Sequence, residues 1–134
     1  MSSSTLRVAF AAWLACWPMA SLASADIEVL VESQIYHGDP DYARSAACIS
    51  ANEVFLAIPA YRKILDEKID KSDPRYWLLM EEANRVFRRA LRKCERDHGY
   101  DLIGELGSIR VDGAPAPDIT GIAVQMALDS TGDE

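Results

Sequence analysis

Residues 73–99 constrain this chain more than any other stretch. Ser72-Asp73-Pro74 opens them and Gly99 closes them. Asp73 is able to accept hydrogen bonds from free amides at a helix start, and Pro74 sits at the first helical position, where its missing N–H costs nothing. Gly99 suits the left-handed residue that ends a helix. An α-helix over Pro74–His98 is therefore predicted. At 100° per residue, Tyr76, Leu79, Met80, Ala83, Phe87, Ala90, Leu91 and Cys94 fall on one side. Arg85, Arg88, Arg89, Arg92 and Arg96 fall on the other.

A similar start signal, Gly38-Asp39-Pro40, precedes residues 40–70. There Ala43, Ala46, Ala47, Ala51, Val54, Ile58, Tyr61 and Leu65 follow a helical stripe, with Ile49 and Leu56 opposite. This reads as a long helix, kinked near Phe55 by Pro59. Two long helices joined by a short turn pack as an antiparallel hairpin. Cys48 lies 24 residues before Ser72 and Cys94 lies 22 after it, which puts both roughly 33–36 Å up their helices. A Cys48–Cys94 disulfide stapling the open end is expected, worth roughly 4 kcal/mol by loop entropy.

The flanks are less regular. Residues 26–36 fit a helix face and a strand alternation, and the reading favours helix. Residues 100–107 suit a short helical turn, and residues 108–111 an extended piece. Asp112-Gly113 reads as a turn and residues 114–117 as a stiff linker. Asp118 would cap a last helix carrying Ile119, Ile122, Ala123 and Met126, and residues 131–134 would fray. The expected fold is thus all-α: one disulfide-stapled helical hairpin over residues 26–130 with short helices at both ends.

Residues 1–7 carry one positive side chain, and residues 8–22 form an uncharged run of 15. The run ends on Ala23-Ser24-Ala25, whose small residues suit a signal peptidase, so cleavage is expected after Ala25. A membrane anchor would need roughly 20 apolar residues. Lipidation at Cys16 is disfavoured by Trp13-Leu14-Ala15 before it. The protein is therefore expected to be exported, to the periplasm or beyond the outer membrane, with no stable membrane insertion after cleavage. Removing residues 1–25 from the 134 leaves 109, one domain's worth. The odd Cys16 leaves too, so two cysteines reach an oxidising space.

The leader holds one Arg and no acid, so the charge of -7 becomes -8 on cleavage. Such a balance argues against a nucleic-acid partner. Gly-x-Ser-x-Gly, His-Glu-x-x-His, Walker and dinucleotide motifs are absent from the sequence, so no cofactor and no enzymatic activity are expected. The arginine face is the first candidate site: Arg85, Arg88, Arg89, Arg92 and Arg96 would meet a carboxylate-rich or phosphate-bearing partner. Glu81 and Glu82 at helical spacing are placed to neutralise part of it. Among the aromatics Tyr36, Tyr42, Trp77 and Tyr100, Trp77 falls about 100° off its helix's apolar centre and is a candidate anchor. At the open end, His37, Asp39 and Asp41 would meet Glu95, Asp97 and His98; a metal there is unlikely, because the chain has two histidines in all. The leading functional expectation is a non-enzymatic envelope protein that binds another protein. Its alternatives are an inhibitor or immunity protein for a basic cell-wall hydrolase or toxin, and a carrier of a small ligand or metal.

Overall fold

The computed structural model describes residues 25–132. Residues 1–24 of the expected leader and residues 133–134 of the expected tail lie outside them. The described chain is mixed α/β, which corrects the all-α expectation. Its strands are β1 (Ile27–Val29), β2 (Ile35–His37), β3 (Ala46–Ile49), β4 (Leu102–Glu105), β5 (Ile109–Val111) and β6 (Ala114–Pro115). Its helices are α1 (Ala51–Leu56), α2 (Pro59–Asp66), α3 (Pro74–His98) and α4 (Thr120–Thr131), with a 3₁₀ turn at Glu32–Gln34.

Helix α3 forms as its termini dictate. The Asp73 carboxylate accepts from the Arg75 amide at 2.9 Å, and Gly99 ends the helix at φ 79°. Residues 40–70 do not make the long helix. Asp39 and Pro40 instead build an exposed turn, in which the Asp39 carboxylate accepts from the Asp41 amide, a use these residue types serve equally well. Ala46–Ile49 is a strand buried on both faces, so it lacks the alternation that marks a half-exposed one. Ser50 then caps α1, accepting from the Glu53 amide. Pro59 breaks the helix rather than kinking it: Ile58 before it is extended (φ -90°, ψ 120°) and α2 starts afresh at the proline. Residues 26–36, where helix was expected, form β1, the 3₁₀ turn and the start of β2, and residues 102–105 are a strand where a helical turn was expected.

Two three-stranded sheets result, in the orders β1-β5-β6 and β2-β4-β3. The first is antiparallel throughout. In the second, central β4 runs antiparallel to β2 and parallel to β3, and the helical segment α1–α3 supplies the long crossover a parallel pair requires. Residues 117–119 seal the other edge of β3, with Cys48 donating to Pro117 O and Ile119 donating to Cys48 O.

Strand alternation sorts the core into two layers around this second sheet. Ala47, Ile49 and Ile103 face the helices, against Val54, Phe87, Leu91, Cys94, Ala123 and Ala127. Ala46, Cys48 and Leu102 face the first sheet, against Ile109 and Ala116. The molecule is a stack of helices, sheet and sheet. Helix α3 packs on α4 and α2, and no helical hairpin stands alone.

The disulfide expectation fails on the same alternation. Cys48 and Cys94 are both free thiols and both buried. Cys48 points between the sheets and Cys94 into the helical layer. A bond joining them would have to pass through the β3–β4 backbone.

Candidate functional site

The outward side of α3 exists because its inward side is spent on the core. Ala83, Val86, Phe87, Ala90, Leu91 and Cys94 are buried, which leaves the opposite stripe to solvent. The structure divides the five arginines predicted there. Arg89 turns inward, and its Nη1 donates to Ser130 O at 3.4 Å, where the carboxyl end of α4 favours a cation. Arg96 pairs with Asp97 at 3.0 Å, and that hydrogen bond holds the Asp97 carboxyl below its ordinary range. Arg85, Arg88 and Arg92 are exposed, and among the described residues no hydrogen bond or ion pair engages their guanidinium groups.

Among the described residues Glu81 and Glu82 make no ion pair with the stripe. Glu82 lines a cleft of about 170 Å³ with Ile58, Pro59, Ala60 and Thr131, beside the amino end of α2, where the helix dipole favours a carboxylate. Glu81 lines a shallow groove of about 310 Å³ with Tyr76, Trp77, Met80, Asn84 and Arg88. The groove joins the aromatic end of α3 to its basic stripe.

Trp77 is 61 % exposed and Leu78 beside it 67 %. The indole is nonetheless held in place: its Nε1 donates to Lys71 O at 2.9 Å, and Tyr76 meets it edge-to-face at 5.1 Å. An exposed ring already fixed loses little conformational freedom when a partner covers it.

The other end of α3 brings His37 to Glu95, Nε2 to Oε2 at 2.5 Å. A register shift between Ile35 and His37 lets neighbouring β2 residues both reach the helical layer. Tyr36 packs edge-on against Phe87 at 5.6 Å, and His37 reaches Glu95. His37, Gly38, Asp39, Tyr42, Glu95 and Asp101 line a groove of about 270 Å³. Asp101 is committed to the backbone, accepting from the Arg44 and Ser45 amides. Among the described residues no three His, Cys, Asp or Glu side chains converge as metal ligands. His98, the fourth metal candidate, is exposed at the end of α3 and does not line this groove.

One cluster escaped the sequence reading, and a second was anticipated in part. Glu105 accepts from Tyr36 OH at 2.7 Å and from the Ala51 amide at 3.1 Å, tying β2, β4 and α1 together. Burial first, then the Glu105 hydrogen bond and charge, push the Tyr36 phenol up to about 12. Asp118 accepts from the Thr120 amide and hydroxyl, which holds its carboxyl below the ordinary range. The Asp118 capping role was readable locally, whereas Glu105 depends on strand pairing across the chain.

No family model, curated protein or solved structure matches this chain. Among the described residues no helix is long and apolar enough to cross a membrane.

Proposed function

We propose that this is an exported, non-enzymatic protein that works in the cell envelope by binding another protein through the exposed stripe of α3. The observation that carries the reading is the set Arg85, Arg88 and Arg92, which no hydrogen bond or ion pair engages among the described residues, on a chain whose charge is -7. Unpaired guanidinium groups suit carboxylates of a partner, and Trp77 with Leu78 offers an apolar anchor at the end of the same stripe. The partner this supports carries an acidic surface beside an apolar socket. The leader expected over residues 1–25 supports the envelope location.

Capture from envelope extract with the wild type and an R88E/R92E double variant tests it. The captured protein should be lost by the double variant and by moderate salt, and W77A should weaken it by roughly 10–100-fold. Equal capture by the wild type and R88E/R92E would reject the α3 face.

The inhibitor reading has its own observation. Tyr42 is 81 % exposed beside the acidic groove that Asp39, Glu95 and Asp101 line, an arrangement suited to a cationic enzyme. Y42A would then abolish binding to a basic hydrolase while R88E/R92E leaves it intact.

A further inference from the structure

The first strand begins two residues after the expected cut. Asp26 lies immediately before β1 (Ile27–Val29), which is the edge partner of β5 (Ile109–Val111). Beyond β5, Asp112 and Gly113 form the two-residue turn into β6, with φ of 52° and 79°. Positive φ at both positions is the geometry in which Asp-Gly closes a hairpin. That turn aims Asp112 at the start of β1 and clamps it from both sides: the Asp26 nitrogen donates to Asp112 Oδ1 at 2.8 Å, and the Asp112 amide donates back to Asp26 O at 2.8 Å.

In the precursor the Asp26 nitrogen is a peptide amide. Hydrolysis of the Ala25–Asp26 bond adds one water, leaves a carboxylate on Ala25 and turns that nitrogen into an α-ammonium. We infer that export processing converts the Asp26–Asp112 hydrogen bond into an ion pair, so that the mature amino terminus is itself a built part of the β1-β5-β6 sheet. This rests on cleavage after Ala25. Charge-assisted hydrogen bonds are roughly twice as strong as neutral ones. The other charged groups of these strands are the Asp26 carboxylate and the cross-strand pair Glu28 and Arg110, which face each other in the register.

The test uses residues 26–134 released from a cleavable fusion, with the amine free or acetylated. Acetylation restores a neutral amide that still donates. At about pH 7 the free-amine protein should melt about 2–5 °C higher. A free α-amine is protonated below about pH 8, so the advantage is present at neutral pH. It disappears as pH climbs and the amine loses its proton. In D112N, where Asn keeps the turn and the acceptor but not the charge, both forms should melt alike. Equal melting of the two forms with Asp112 present, or a difference that survives in D112N, overturns the ion pair. The intact mass of the exported protein reads the processing separately. A start at Asp26 is expected; any other start takes the amine away from Asp112 and overturns the inference through its premise.

Discussion

A thiol in an apolar wall is held in its neutral form, because nothing nearby replaces the water its thiolate would need. Burial, with the Asp97 charge adding to it, pushes Cys94 up to about 11. Burial pushes Cys48 up as well, opposed in part by hydrogen bonds from Ile109, Ser108 and Gly107. Both should react with iodoacetamide slowly in the native protein and fast after denaturation, and non-reducing mass analysis should find two free thiols. A Cys48–Cys94 linked peptide would contradict the two-sided sheet. Gly104 makes a second prediction at this scale. A Cβ there would lie 2.6 Å from Ser108 Oγ and 2.9 Å from Ile35 Cδ1. The Ser108 hydroxyl is tied to Glu105 O at 2.6 Å and has little room to retreat. G104A should therefore cost about 1–3 kcal/mol in denaturant unfolding, and a neutral result would mean that the inter-sheet layer is looser than its packing implies.

Glu105 sets the behaviour of the elements it joins. Because the folded protein keeps the Tyr36 phenol neutral up to about 12, while an unfolded tyrosine ionises near 10, the fold gains from the neutral form. That gain is complete below about pH 10 and is lost as pH rises toward 12. Alkaline unfolding followed by circular dichroism should therefore be shallower in Y36F, which has no proton to lose; an unchanged profile would remove Tyr36 from the linkage. The same scale explains what the sequence made legible. Helix α3 was readable because its cap, proline and terminal glycine all act within a few residues of the backbone they govern. Ala46–Ile49 was not, because four residues buried on both faces carry no alternation and two alanines favour helix by propensity. What makes them a strand is β4, more than 50 residues away. The site divides in the same manner. Periodicity was enough to place Arg85, Arg88 and Arg92 on one stripe. The removal of Arg89 to α4 and the pinning of Trp77 required contacts between segments.

At the scale of the molecule, the two core layers share one sheet. Ala47 and Cys48 are adjacent in β3 and point to opposite layers, as do Leu102 and Ile103 in β4. Neither layer can melt without freeing the backbone that organises the other, so unfolding should be a single cooperative transition. Leu91 is fully buried on the helical side, and Ile109 is 1 % exposed between the sheets. L91A and I109A should each cost about 2–5 kcal/mol. Because the two residues sit in different layers, the double variant should lose nearly the sum. Trp77, the one tryptophan after residue 25, reports on α3, whereas far-ultraviolet circular dichroism reports on all elements. The two probes should give one midpoint in the wild type and in each single variant. If I109A instead melts the inter-sheet layer early while Trp77 fluorescence keeps its native midpoint, the sheet is not the shared support, and the helices would form a separate cooperative unit.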